Sequence, residues 1–222
     1  MQEHFIHLYG RRNDVYLPGR TVRIELFHRG VADLVDSVRK EANQETIENM
    51  SARVVSRTFC IANGINSVSV AEGMQRKYPF EGCVYCHSAP CICEEKRPDA
   101  DLGWGADISQ ANWTLRDWQN HLTSLYGERN QQKGLDYILN RLSSEVGELI
   151  TLEHGVSSKS MDEIEIEYQL ELADSLAWTM AAANFLAIDI QEAVIDRYGR
   201  GCQKCGMNPC NCGPHSFEQA RS

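Results

Sequence analysis

The chain contains an internal repeat. His4-Phe-Ile-His-Leu-Tyr-Gly-Arg-Arg-Asn13 matches His121-Leu-Thr-Ser-Leu-Tyr-Gly-Glu-Arg-Asn130. Thr58, Ala62 and Asn63 match Thr179, Ala183 and Asn184, and Tyr78 matches Tyr198. Cys83-Val-Tyr-Cys-His-Ser-Ala-Pro-Cys-Ile-Cys93 matches Cys202-Gln-Lys-Cys-Gly-Met-Asn-Pro-Cys-Asn-Cys212. Blocks that recur in the same order at near-constant offset require the same local structure twice, and the two units must then bury their apolar faces. We read residues 1–93 as one copy and 119–212 as a second. Residues 94–118 form a linker and 213–222 a tail.

Both copies read as helical. In the first, Val22, Leu26, Val31, Leu34, Val35 and Val38 recur near one helix face, with Gly30 weakening it. Ser51 to Ile61 reads as a buried helix closed by Asn63-Gly64, and Val70 to Lys77 as a short one. In the second, Thr114 is spaced to cap a helix through Asp117, and Leu115, Trp118, Leu122 and Leu125 form its stripe. Helices are expected over Leu135–Leu152, Met161–Leu186 and Ile190–Tyr198, with a turn between His154 and Ser160. No alternating strand pattern is present, so the expected class is all-α. Pro98, Gly103 and Gly105 break the linker, which Trp104 and Trp113 should anchor to the body.

Eight of the nine cysteines form two C-x2-C-x4-C-x-C clusters: Cys83, Cys86, Cys91, Cys93 and Cys202, Cys205, Cys210, Cys212. Four thiols at that spacing suit a closed tetrahedral zinc site, which is structural because no ligand position stays open. Disulfides, redox chemistry and one zinc shared between copies are the alternatives. His87 and His215 are candidate competing ligands. Cys60 lies in an apolar stretch and reads as core.

The chemistry-bearing stretch is Leu142 to Trp178. Glu145 and Glu148 sit three apart, as do Glu171 and Asp174, so each pair shares a helix face. Many such pairs are solvated surface. Here they are embedded among Val146, Leu149, Leu172 and Leu176. Two antiparallel helices would aim four carboxylates into one cleft, where mutual repulsion calls for a cation; oxygen ligands suit Mg²⁺ or Mn²⁺. The corresponding positions of the first copy are Gly30, Asp33, Met50 and Arg53, so that copy has lost the acidic set.

Glu-Val-Gly-Glu-Leu followed by Glu-Leu-Ala-Asp-Ser-Leu-Ala-Trp resembles the all-α NTP pyrophosphohydrolases, the MazG-like and dimeric dUTPase-like group, over about residues 118–198. The resemblance implies a four-helix-bundle-like fold and Mg²⁺ held by Glu145, Glu148, Glu171 and Asp174. It also implies cleavage of a nucleoside triphosphate to monophosphate and pyrophosphate. Asn184, Lys133, Arg129 and Trp178 are the expected substrate contacts. Because members of the group are dimers, the two copies would form an intramolecular pseudo-dimer with one competent site. The first copy would lend cleft residues from among Arg11, Arg12 and Arg53. Further homo-oligomerisation is implied in the same way.

Two other readings compete: a nucleotide sensor without turnover, and a zinc-dependent interaction or nucleic-acid module. Residues 94–222 carry 11 Lys/Arg against 21 Asp/Glu, which argues against broad nucleic-acid binding. No run of 18 apolar residues and no basic-then-apolar leader is visible, so a cytoplasmic location without membrane contact is expected.

Overall fold

A computed structural model describes residues 1–17, 19–65, 68–93, 99–102, 110, 112–155 and 159–213. Among the described residues there are eight helices and no strand. The first run is α1 (Gln2–Tyr16), α2 (Arg20–Arg39), α3 (Gln44–Ala62) and α4 (Val70–Lys77). The second is α5 (Leu115–Lys133), α6 (Leu135–Gly155), α7 (Met161–Phe185) and α8 (Ile190–Tyr198).

The helix starts are written into the sequence. Asn43 caps α3 through the Thr46 amide at 2.9 Å, and Asp189 caps α8 through the amides of Gln191 and Glu192. Thr114 with Asp117, and Ser160 with Glu163, form complete capping boxes at α5 and α7. Each such cap contributes about 1 kcal/mol. Helix α6 runs on through His154 and Gly155, so the expected turn begins later than the sequence suggests.

Helix α7 is the centre of the fold. Its buried positions, from Ile164 and Tyr168 through Leu172, Leu176 and Met180 to Ala183, go around its circumference. A helix apolar on all sides has to be surrounded. Accordingly α3, α4, α5 and α6 all pack on it. One apolar core takes in both runs: Phe5, Phe27, Leu34, Val55 and Ile61 from the first, with Leu122, Leu142, Leu149 and Leu172 from the second.

Contacts between the runs come in reciprocal pairs. Helix α4 packs on α7, and α8 packs on α3. The amide of Cys91 donates to Leu125 O at 2.9 Å, and that of Cys210 to Leu8 O at 2.8 Å. Leu125 and Leu8 are repeat partners, as are the two cysteines, so each Cys loop docks on the first helix of the other run. Tyr78 meets Tyr126 edge-on at 6.1 Å, and Tyr198 meets Tyr9 edge-on at 6.0 Å.

Helix α4 reaches α7 unusually closely at Gly73. A Cβ there would lie 2.1 Å from the backbone oxygen of Gln169. Only glycine permits that approach, and it brings the end of α4 to the acidic face of α7.

Two local expectations change, and one is met. Val22 is exposed, and Ile24 and Phe27 are buried in its place, while Val31 and Leu34 further along α2 are buried as expected. Gly64 does not supply an unusual backbone angle. It makes space for Arg23, whose guanidinium would lie 2.5 Å from an added Cβ. Trp113 does anchor its segment, 4.8 Å from Trp118 and 5.1 Å from His121, whereas Trp104 lies outside the described residues.

Candidate metal centre

Helices α6 and α7 run against each other, and the acidic pairs meet across that contact. Carboxylate oxygens of Glu145, Glu148 and Glu171 lie within 4.8 Å of one another. Oxygens trans across a magnesium ion are about 4.2 Å apart, so small side-chain movements would bring all three onto one ion.

Glu145 has no exposed surface. Its Oε1 faces Arg141 Nη2 at 3.4 Å, while Oε2 is buried without a hydrogen-bond partner. Glu171 Oε2 is also buried and unpartnered. Burial, then the charges of Asp174 and Glu148, push the Glu145 carboxyl from an ordinary 4.5 up to about 8. Burial likewise lifts Glu171 to about 7, with Asp174 and Glu148 adding to it and Lys77 opposing. Two orphaned oxygens in a cluster whose acids resist ionisation mark a site short of positive charge. The donor set, all carboxylate oxygen, fits Mg²⁺ or Mn²⁺.

Asp174 faces elsewhere from the trio. It accepts from Lys77 Nζ and, at 2.5 Å, from the Tyr78 hydroxyl. Burial lowers the Lys77 pKa, but Asp174, Glu171 and Glu145 outweigh it, and the ammonium ends above its ordinary range. Four acids against Lys77 and Arg141 leave two negative charges when all are ionised, the complement of one divalent cation.

Beside this cluster is a cavity of about 650 Å³. Glu171, Asp174, Lys77, Arg129 and Arg141 supply its charged wall, and Leu122, Ala177, Trp178 and Phe185 an apolar one. The volume and the mixed lining are those of a small-molecule site. Of the expected substrate contacts, Arg129, Trp178 and Asn184 line the cavity. The Arg129 guanidinium stacks 4.6 Å from the Tyr126 ring. Asn184 is held by Gln119, whose Nε2 donates to Asn184 Oδ1 at 2.8 Å. Lys133 is outside the lining; it is exposed, its Nζ 5.8 Å from the Tyr137 ring.

The first copy lends Lys77, Tyr78, Val84 and Tyr85 to the lining. Arg11 is exposed, and Arg12 and Arg53 line a different cavity, which corrects the expectation for these three. A signal for Lys77 does exist in the sequence: each repeated tyrosine, Tyr78 and Tyr198, is preceded by a basic residue, Lys77 and Arg197.

All four thiols of each Cys cluster lie within 4.8 Å of one another, and none is disulfide-bonded. Neighbouring sulfurs include Cys83–Cys93 at 3.8 Å, Cys86–Cys91 at 4.0 Å, Cys202–Cys212 at 3.7 Å and Cys205–Cys210 at 3.9 Å. A tetrahedron with 2.3 Å zinc–sulfur bonds has edges of about 3.8 Å. Each cluster can therefore hold its own zinc. His87 is exposed, 3.8 Å from Asp101, and His215 lies outside the described residues. Cys60 is at the wall of the second cavity, accepting from Asn13 Nδ2 at 3.3 Å, and is not a packed core residue.

Among the described residues no helix is long and apolar enough to cross a membrane. No family model, no curated protein and no solved structure matches this chain.

Proposed function

We propose that the chain is a magnesium-dependent nucleoside triphosphate pyrophosphohydrolase of the MazG-like kind, with its single active site in the second copy. The carrying observation is the convergence of Glu145, Glu148 and Glu171, with two buried unpartnered oxygens, beside a nucleotide-sized cavity. The reciprocal docking of the two runs supports an intramolecular pseudo-dimer, and the first copy contributes Lys77 and Tyr78 to the site.

Glu145, Glu148, Glu171 and, after release from Lys77, Asp174 would hold the cation. When bound, Mg²⁺ supplies positive charge against the triphosphate and lowers the pKa of water in its shell. Lys77, Arg129 and Arg141 face the phosphate oxygens. Trp178 and the apolar wall take the base. Glu148, the exposed carboxylate of the trio, accepts the proton of the attacking water. The water oxygen bonds to the α-phosphorus, and the bond from that phosphorus to the bridging oxygen breaks. Monophosphate and pyrophosphate leave. The zinc knuckles, each tied by a backbone hydrogen bond to the opposite run, hold the two copies in register.

The test is pyrophosphate release from a panel of NTPs and dNTPs by zinc-loaded protein with Mg²⁺, alongside Glu171→Gln. Release by the parent, lost in the variant, is expected. A second reading rests on the Lys77–Asp174 ion pair: an internal cation already neutralises one acid, as suits a sensor that binds nucleotide without cleaving it. Saturable nucleotide binding with no pyrophosphate from any substrate selects that reading.

A further inference from the structure

A second cavity of about 410 Å³ lies between the runs, where the repeat places the counterpart of the first. Tyr9, Arg12 and Asn13 line it as Tyr126, Arg129 and Asn130 line the other. Arg197 enters it from the second run as Lys77 enters the first cavity from the first run. Its charge is the opposite. Where the first cavity has Asp174 and Trp178, the second has Arg53 and Arg57. Arg12, Arg29, Arg53, Arg57, Arg197 and Lys204 all contribute to its wall.

The exchange goes deeper than a surface charge swap. Gly30 stands at the position of Glu145, and the Arg57 side chain runs through the space a larger residue would fill. A Cβ on Gly30 would lie 2.7 Å from Arg57 Nη1 and 3.0 Å from its Cδ. Arg57 is held there by donating to Leu26 O at 2.5 Å. Burial and then the neighbouring Arg53 charge lower the Arg57 pKa to about 10, so this guanidinium sits among cations with too little negative charge around it. Arg53 Nη1 pairs with Asp33 at 3.3 Å, a carboxylate that is itself partly exposed. Arg197 Nη1 donates to the neutral Asn49 side chain at 2.7 Å.

We propose that this cavity is a metal-independent binding site for an oligophosphate anion, the pyrophosphate or triphosphate group. Planar guanidinium groups pair with phosphate oxygens through two parallel hydrogen bonds, and several converging on one recess favour a ligand with several adjacent charges over a monoanion. The acidic cavity needs a cation to accept phosphate. The first copy has built the cation into the chain. The recess and the chain's net charge of −9 favour a small anion over a nucleic acid. The site stands independently of catalysis in the other cavity. If that cavity does release pyrophosphate, its product has a receptor on the same molecule.

The test is titration calorimetry of zinc-loaded protein with inorganic pyrophosphate and inorganic triphosphate in magnesium-free buffer. Saturable binding is expected. It should weaken about tenfold to a hundredfold in Arg57→Gln, as expected for loss of a charged hydrogen-bond donor. Arg29→Gln, on a half-buried stretch of α2, guards against a folding defect in Arg57→Gln and should weaken binding in the same direction. Glu171→Gln should leave it unchanged. A nucleoside triphosphate that binds no more tightly than inorganic triphosphate identifies a free oligophosphate ligand, and one that binds more tightly identifies a nucleotide; both support the site. Absence of binding, binding indifferent to both arginine changes, or loss in Glu171→Gln would overturn it.

Discussion

Replacing Glu145 by Gln should stabilise the magnesium-free protein. The Glu145 carboxyl is driven from 4.5 to about 8, first by burial and then by Asp174 and Glu148. A carboxyl whose folded pKa is raised costs nothing while both states are protonated. The cost accrues as pH rises from the unfolded value through the folded one. It amounts to about 1 kcal/mol at pH 5 and about 4 kcal/mol at pH 8. Gln has the same shape and no charge, and it keeps an oxygen for Arg141. Its amide, however, puts donors where Oε2 finds no partner, which costs about 1–2 kcal/mol. The net gain is near zero at pH 5 and about 2–3 kcal/mol at pH 8. For a chain of this size that corresponds to a melting temperature about 4–12 °C higher. Thermal melts by circular dichroism, on zinc-loaded protein without magnesium, measure it at both pH values. Added Mg²⁺ should raise the melting temperature of the parent and leave the variant where it was. A variant less stable than the parent at pH 8, or a gain independent of pH, would refute the picture of a cation-deficient cluster.

Three further outcomes follow from the same geometry. Lys77→Met should tighten Mn²⁺ binding, measured by electron paramagnetic resonance, because Asp174 is freed, and should raise KM for nucleotide because a phosphate-facing charge is lost. Gly73→Ala should cost about 2–3 kcal/mol in urea denaturation, since the obstacle 2.1 Å away is backbone and cannot rotate aside. Metal analysis should find two zinc ions per chain, falling to one in Cys83→Ser; two ions remaining would place that cysteine outside the metal site.

Local features of this fold were legible in the sequence. Thr114 with Asp117 starts α5 where the capping pattern puts it, and α4 and α8 carry the expected bounds. The acidic pairs were legible too, because a three-residue spacing fixes a shared helix face whatever surrounds it. Contacts across the two runs were not. Lys77 and Asp174 are 97 residues apart, and no local period joins them. The repeat puts Arg53 at the position of Asp174 but does not say which cavity that position faces, so Arg53 reads as a helper of the acidic site when it lines the second cavity. Gly30 reads as a weak point of α2, and its use emerges only with Arg57 lying across it.

In the proposed reaction water attacks the α-phosphorus of a nucleoside triphosphate at the Glu145, Glu148, Glu171 and Asp174 site. Turnover in ¹⁸O-labelled water with Mg²⁺, followed by mass spectrometry of the separated products, tests it most directly. The label is expected in the nucleoside monophosphate, with unlabelled pyrophosphate, and neither product should come from Glu171→Gln. Label in orthophosphate with a nucleoside diphosphate left behind, or turnover that survives Glu171→Gln, would contradict it.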